Sequence, residues 1–184
     1  MTNSSLFLSS ERVYLKPISL DNATEEYVDW LNDPEVTKGL LATGSKATLE
    51  SVKHYISDRL VDANTLMLAI YDKDSDKHIG NIKVDNFEPG AGTCELGIML
   101  GDKAFWGKGI GKEVIFLVLN HVFNQMGMRK VLLAVYANNP GAIKLYSNLG
   151  FEEEGVFKEH VRVGEDLVDK HYMSLFKKNF TSLQ

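Results

Sequence analysis

The sequence is poor in the features that define several classes of protein. Only one of its 184 residues is a cysteine, Cys94, so no disulfide can form within the chain, as is typical of a reducing compartment. No apolar run approaches the roughly 20 residues that cross a bilayer. Residues 1–5 are not a basic segment leading into an apolar one, so we expect no signal peptide. These absences predict a cytoplasmic protein that has no membrane partner.

An excess of positive charge is also missing, and so is any metal-binding pattern. The formal net charge is -5, whereas nucleic-acid binding usually needs a basic face, so we expect no nucleic-acid partner. The histidines show no ligand spacing. The acidic run that ends at Asp76 is followed by Lys77, where an EF-hand loop needs glycine. We therefore expect no metal site.

Hydrophobic periodicity predicts a single α/β (α+β) domain over residues 1–184, with the element order β-α-α-β-β-β-α-β-α-β-β. Such an order favours a mixed, mostly antiparallel, twisted sheet flanked by helices. Strands are predicted at 11–18, 65–71, 78–84, 94–100, 130–136, 155–163 and 167–176, and helices at 21–32, 48–60 and 140–149. A further helix follows residue 109, ends near Gly127 and buries one apolar face, made of Val114, Ile115, Val118, Leu119, Val122 and Phe123.

A glycine-rich loop precedes this last helix. Gly107, Gly109 and Gly111 alternate with larger residues and directly follow the strand at 94–100. Glycine permits backbone angles that are closed to other residues, so the N–H groups of the loop can converge on an anion at the positive end of the helix dipole. Lys108 and Lys112 add positive charge. The loop therefore predicts a phosphate-binding site.

Two common phosphate-binding motifs do not fit this loop. A P-loop needs Ser or Thr after its Gly-Lys, and here Glu113 follows Gly111-Lys112. A dinucleotide fingerprint that starts at Gly107 needs a third glycine where Lys112 stands. A glycine-rich turn without a ligand remains an alternative if the loop is considered alone.

A third pattern fits. The x-x-x-Gly-x-Gly order of residues 106–111 resembles the pyrophosphate loop of the GNAT superfamily of acyl-CoA-dependent acetyltransferases, although Trp106 stands where most members have Gln or Arg. Residues 139–151 read Asn-x-x-Ala-Ile-x-Leu-Tyr-x-x-x-Gly-Phe, which is similar to a specific motif of the same family. Residues 9–17 and 30–34 resemble the start of the branch with ribosomal-protein N-terminal and amino-sugar acetyltransferases. The resemblance covers nearly the whole chain.

The resemblance implies a reaction and a cofactor. Acetyl-CoA would donate its acetyl group directly to a primary amine, in a ternary complex; the acceptor would be a small molecule such as an amino sugar, or a protein N-terminus. In this family the strand at 94–100 separates from the strand at 130–136, and pantetheine binds between them. The implied cofactor contacts are the backbone of Ile98, Met99 and Leu100, the loop residues Trp106, Gly107, Lys108, Gly109, Ile110, Gly111 and Lys112, and Asn139.

Two residues are candidates for catalysis. The phenol of Tyr146, with an ordinary pKa of about 10, is placed by the motif to protonate the leaving thiolate. Glu95 is the candidate base, directly or through water, because an alkylammonium cannot attack. Each residue has a structural alternative: Tyr146 as a core aromatic, Glu95 as an outward-facing strand residue, and Asn139 as a helix N-cap alone.

The acceptor site is expected between the first two helices, the loop at 39–44 and the last hairpin. A binding module that senses acyl-CoA without turnover is the alternative function. Proteins similar to this one often dimerise through an exposed sheet edge or the last hairpin, so a homodimer is a further option.

Overall fold

One mixed sheet of eight strands organises the chain. The computed structural model describes residues 6–40 and 46–181. The strands lie in the order β1-β2-β3-β4-β5-β6-β8-β7, and each neighbouring pair is antiparallel except β5 and β6. Their bounds are β1 Leu8–Ser9, β2 Val13–Pro17, β3 Thr65–Asp72, β4 His78–Glu88, β5 Thr93–Leu100, β6 Lys130–Tyr136, β7 Glu152–Val163 and β8 Asp166–Phe176.

Five α-helices flank the sheet in the described part of the chain. They are α1 Glu25–Asn32, α2 Pro34–Thr37, α3 Leu49–Val61, α4 Ile110–Asn124 and α5 Pro140–Asn148. Threonines start two of them: the hydroxyl of Thr24 accepts from the N–H of Tyr27 at 3.3 Å, and that of Thr48 accepts from Ser51 at 3.1 Å. Such caps satisfy N–H groups that have no partner inside the helix. Of the helices in residues 6–40 and 46–181, none has the length and apolarity to span a bilayer.

The sheet and helices confirm the predicted α/β class, and the differences from the predicted order are local. The helix predicted at 21–32 starts only at Glu25, because Leu20–Asn22 forms a separate 3-10 turn. The short helix α2 was missed; Asp33 caps it and Pro34 occupies its first position. The two-residue strand β1 was also missed. Helix α4 ends at Asn124, before Gly127, which adopts φ +72° in the following turn.

Two hydrophobic layers cover the two faces of the sheet. The smaller layer packs α1 and α3 against Met67 and Ala69 of β3. The larger layer packs α4 and α5 against the other face. The predicted stripe of α4 is fully buried there, and burial of each such side chain contributes about 1.5–3 kcal/mol. Its residues are Val114, Ile115, Val118, Leu119, Val122 and Phe123.

Candidate active site

The parallel strands β5 and β6 separate part of the way along, and this separation forms the site. Their last pair is Glu95 with Leu132, yet β5 continues to Leu100 and β6 to Tyr136. Beyond the split, β5 still pairs with β4 and β6 still pairs with β8. The two inner edges therefore form a wedge that no other described strand fills.

The backbone groups of β5 alternate between β4 and the wedge. The N–H of Gly101 donates to the carbonyl of Ile79 at 3.0 Å. In an antiparallel ladder the backbone N–H and C=O groups of successive residues point to opposite sides of the strand. The N–H and C=O of Met99 therefore point toward β4, and those of Ile98 and Leu100 point toward the wedge. Of the three predicted backbone contacts, Ile98 and Leu100 thus have groups on the wedge edge, whereas Met99 presents its side chain to a neighbouring cavity.

The glycine loop connects the end of β5 to α4. The indole N–H of Trp106 donates to the carbonyl of Leu100 at 2.8 Å, which ties the loop back to the strand. Gly107 and Gly109 adopt φ +71° and +81°, in the left-handed region that favours glycine. Gly109 is also the N-cap of α4, and it has no side chain that could accept from the first turn.

The start of α4 is consequently open to an anion. Among the described residues, no close hydrogen bond links the N–H groups of residues 107–112 to another backbone group. Free N–H groups and the helix dipole favour negative charge at this end. Lys108 and Lys112 are exposed beside it, whereas Ile110 is buried and anchors the helix to the core. These residues fit a pyrophosphate.

An ion pair that sequence analysis did not select as part of the site holds the loop in place. Arg12 lies 2.6 Å from the carboxylate of Glu113 and donates to the carbonyl of Lys108 at 2.8 Å. Ser10 also donates to Glu113, at 2.5 Å. Burial acts to raise the pKa of Glu113, but the hydrogen bonds from Ser10 and Arg12 outweigh it and lower that pKa. Glu113 therefore stays ionised and fixes Arg12 against the loop.

Helix α5 borders the wedge from the side of the larger hydrophobic layer. Asn139 caps it by accepting from the N–H of Ala142 at 3.1 Å, as the N-cap alternative requires. A Cβ built on Gly39 would lie 2.7 Å from the Asn139 side-chain nitrogen. The segment after α2 and the start of α5 thus approach each other closely, and Asn139 lies where they meet.

Tyr146 is buried on this helix, with 7% of its surface exposed, and its ring contacts that of Phe151 edge-on at a centroid distance of 5.8 Å. Burial raises the pKa of Tyr146 to about 12. The neighbouring Leu145 reaches the glycine loop, since a Cβ on Gly111 would lie 3.4 Å from it. Tyr146 is therefore part of the core, and its helix contacts the glycine loop through Leu145.

Glu95 occupies the last paired position before the wedge. Its carboxylate accepts from the side-chain amide of Asn86 at 3.0 Å. Strand alternation puts Glu95 on the same face of β5 as Gly97, on the side of α1 and α3. Gly97 lines the cavity on that side, whereas neither Glu95 nor Tyr146 does. The two candidate catalytic residues therefore lie on opposite faces of the sheet.

A cavity of about 570 Å³ lies on the α1 and α3 side of the wedge. Helices α1 and α3 border it, together with Gly39 and Leu40, as expected for the acceptor site. Residues 41–45 of the expected loop lie outside the described residues, and the described part of the last hairpin does not line the cavity. Its lining comprises Tyr27, Leu31, Thr37, Gly39, Leu40, Lys46, Ala47, Ser51, Val52, Tyr55, Met67, Asn81, Lys83, Gly97, Ile98, Met99 and Ala134.

Sequence analysis missed Asn81 and Lys83, which form part of this lining. Both lie in β4 and are separated by Ile82, so they share one face of the sheet. A signal was present, because the polar residues Asn81, Lys83 and Asp85 alternate with Ile82 and Val84 along this strand. The missing information was which helix packs on that face.

Other reactive groups do not converge. Cys94 is buried, and its pKa is raised to about 12 by burial and by the nearby Asp85. It is therefore a protonated thiol and a poor nucleophile. Among the residues the structure describes, no three histidine, cysteine or acidic side chains are grouped to bind a metal ion.

Comparison with known proteins identifies the class to which this fold and wedge belong. Residues 12–152 match the family described as "Acetyltransferase (GNAT) domain". The chain belongs to this family, and it is an acetyltransferase of the GNAT type.

Individual relatives agree with the family. The chain is 26% identical over 175 residues to the uncharacterized N-acetyltransferase p20 of Bacillus licheniformis, with 94% of this chain and 97% of that protein covered. It is 24% identical over 162 residues to the "Probable N-acetyltransferase YjcK" of Bacillus subtilis (strain 168), with 85% and 89% covered.

A solved structure shows the same fold at lower sequence identity. A spermidine N-acetyltransferase from Vibrio cholerae, in complex with CoA and spermine, superposes with a TM-score of 0.82 at 18% identity and covers 91% of this chain and 96% of that one. Similarity at this level supports the fold and leaves the acceptor of the present protein open.

Proposed function

We propose that this protein transfers an acetyl group from acetyl-CoA to a primary amine in a single displacement. The observation that carries the proposal is the wedge between β5 and β6, which has the open start of α4 at one end and the 570 Å³ cavity beside it. A ligand with a pyrophosphate, an amide-bearing arm and a reactive end matches these three parts. Acetyl-CoA has this construction, and the Vibrio cholerae relative was crystallised with CoA.

The binding of this cofactor is assigned to backbone groups and two lysines. The N–H groups of the loop and of the first turn of α4 hold the pyrophosphate, and Lys108 and Lys112 neutralise it. The groups of Ile98 and Leu100 that face the wedge pair with the amides of the arm. Asn139, at the mouth of the wedge, adds a side-chain amide to the same surface.

The chemistry needs a base, a proton donor and a site for developing negative charge. Acetyl-CoA supplies the acetyl group as a thioester, whose C–S bond breaks as the C–N bond to the amine forms. Glu95 accepts the proton that the amine loses, directly or through a water. The N–H of Ile98 would stabilise the negative charge that develops on the thioester carbonyl oxygen. Tyr146 donates its hydroxyl proton toward the sulfur.

Direct transfer is favoured over an acetyl-enzyme intermediate by the state of Cys94. This sole cysteine is buried with a pKa raised to about 12, so it is protonated at neutral pH and screened from a bulky thioester. We therefore assign no covalent role to the protein in the reaction.

The test is a thiol-release assay with acetyl-CoA and a panel of primary amines, in which both substrates are varied. Direct transfer predicts initial-rate lines that intersect in a double-reciprocal plot and a Cys94→Ala variant with full activity. Parallel lines together with an inactive Cys94→Ala variant would contradict direct transfer. Tight binding of acetyl-CoA without thiol release for any amine would contradict the enzymatic function itself.

A further inference from the structure

The polar side chains of the acceptor cavity are two lysines, one amide and four hydroxyls. Its charged residues are Lys46 and Lys83, and the described lining contains no carboxylate. The segment 41–45 reads Leu-Ala-Thr-Gly-Ser, so its sequence adds no ionisable side chain. A cavity that binds a polycation would need carboxylates, because several like charges repel strongly in a partly desolvated site.

Asn81 supplies a second, independent observation. Its side chain is 4% exposed, and its oxygen lies 3.1 Å from the His78 ring nitrogen. Its side-chain nitrogen is buried and has no hydrogen-bond partner among the described residues. Buried donors without a partner are rare and costly. Asn81 lines the cavity, so a small side-chain rotation that exposes this amide would let it donate to an acceptor oxygen of a bound molecule.

Lys83 lies beside this amide on the same face of β4. One of its three N–H groups is directed at Asp85, with the nitrogen 2.5 Å from the carboxylate, and an ammonium has two more to donate. Gly97 of β5 pairs with Lys83, and a Cβ added at Gly97 would have no atom within 4 Å. The floor of the cavity thus offers an ammonium and an amide next to unfilled space.

We propose that the amine acceptor carries a carboxylate or phosphate, which Lys83 and Asn81 bind while its amine is directed to the wedge. This inference rests on the proposed function and specifies the acceptor class. Lys46, at the rim, attracts the same anionic group. The lysines also favour the neutral form of the nearby amine, because a like charge lowers the pKa of an ammonium, and the neutral form is the one that attacks.

Matched acceptors test the proposal by the same thiol-release assay at saturating acetyl-CoA. One set is 4-aminobutanoate, butylamine and 1,4-diaminobutane; a second is glucosamine 6-phosphate and glucosamine; a third is dialanine and dialanine amide. We expect the member with an anionic group to exceed its matched partner without one in kcat/KM by about tenfold or more in at least one set, as for a charge-assisted contact. The first and third sets test a carboxylate and the second tests a phosphate.

Two variants connect this preference to the named residues. The double variant Lys83→Met/Asp85→Asn removes the ion pair together, so that no carboxylate is left without its partner, and should reduce the preference to about one. Asn81→Asp replaces the free donor by a negative charge; it should lower kcat/KM for the anionic acceptor by about tenfold or more and raise it for the diamine. Lys53→Met, on the exposed face of α3, controls for overall charge. It should change kcat/KM neither for the anionic acceptor nor for the diamine.

The outcomes separate the two proposals. Thiol release with any amine supports the enzymatic function whatever the order of the acceptors. If no set shows a preference for the member with an anionic group, or if both variants retain that preference, the assignment of the acceptor class would be overturned. If no amine releases thiol while acetyl-CoA still binds, the proposed function fails and the acceptor class fails with it.

Discussion

Tyr146 is the residue on which the proposed chemistry depends most. Burial raises its pKa to about 12, so its hydroxyl remains a proton donor throughout the range in which the enzyme would work. Tyr146→Phe removes only the hydroxyl and keeps the edge-on contact with Phe151. We expect kcat to fall by roughly 10²- to 10⁴-fold with little change in acetyl-CoA affinity, as for loss of a general acid.

Tyr14→Phe is the matched control for this substitution. Tyr14 lies on β2, away from the wedge, and its hydroxyl donates to Asp76. Its removal should leave kcat unchanged. If Tyr146→Phe retained full activity, the role of Tyr146 would be packing alone.

His78 provides a second test at the scale of one residue. It is enclosed by the rings of Tyr27, Trp30 and Tyr71, and burial lowers its pKa below the ordinary value. The unfolded chain therefore binds a proton at this site at a higher pH than the native protein does. The resulting stabilisation is present above pH about 6.5 and is lost as the pH falls.

The measurement is the melting temperature between pH 7.5 and 5.5. His78→Gln should show a smaller decline than the wild type, because it removes the group that is neutral when folded and charged when unfolded. His54→Gln, at an exposed site on α3, should decline as the wild type does. Equal slopes for all three proteins would show that His78 protonates as readily in the folded protein as in the unfolded one.

At the scale of elements, the glycine loop has backbone angles that strain other residues, and it is also the proposed binding site for the pyrophosphate of acetyl-CoA. Gly109 and Gly164 have similar positive φ angles, +81° and +63°, but only Gly109 precedes α4; Gly164 lies in the turn between β7 and β8. Alanine at either position is strained by about 1–2 kcal/mol, or roughly 2–8 °C in melting temperature for a chain of this length. Only Gly109→Ala should also weaken acetyl-CoA binding, by about tenfold or more, because it reorients the N–H groups.

Calorimetric titration of both variants with acetyl-CoA separates the two effects. If Gly164→Ala weakened binding as much as Gly109→Ala, the loss would reflect global stability. If neither weakened it, the loop would not hold the pyrophosphate.

The contact between β2 and α4 supports the same loop. Arg12 bridges Glu113 and the carbonyl of Lys108, so Arg12→Met should loosen the loop without removing any group that touches the acceptor. We expect a higher KM for acetyl-CoA at nearly constant kcat. Arg162→Met, in the exposed part of β7, is the control for charge. A lower kcat at constant KM would place Arg12 in the chemical step instead.

Across the whole molecule, helices and strands could be predicted best where the hydrophobic periodicity of the sequence alone determines the structure. The stripe of α4 was predictable because every third or fourth residue meets the same core. Local capping decided the cases that failed: Thr24 starts α1 later than the hydrophobic pattern suggests, and Asp33 with Pro34 starts a separate helix. The starts of these two helices depend on single side-chain hydrogen bonds, which the hydrophobic pattern of the sequence does not reveal.

The candidate site also has one part that could be predicted from the sequence and one part that could not. Its cofactor half is nearly continuous in sequence, from Glu95 to Lys112, and could be predicted from glycine spacing and a family resemblance. Its acceptor half joins α1, α3 and β4, which are distant in the chain, so Asn81 and Lys83 became visible only once the fold placed them together. The roles of Tyr146 and of the glycine loop are predictions that the variants above test, and the role of Glu95 stays a prediction.

The measurement that tests the central claim most directly is a thermal-shift titration with acetyl-CoA, run beside ATP and NADH. A ligand that binds only the folded state adds about 2.7 kcal/mol of stability at a concentration of 100 Kd, or roughly 5–11 °C for a domain of this length. We predict such a shift with acetyl-CoA, and a much smaller one with ATP or NADH, which have phosphates but no arm to enter the wedge. A shift with ATP or NADH alone, or none with acetyl-CoA, would contradict the assignment of the wedge and of every site residue along it.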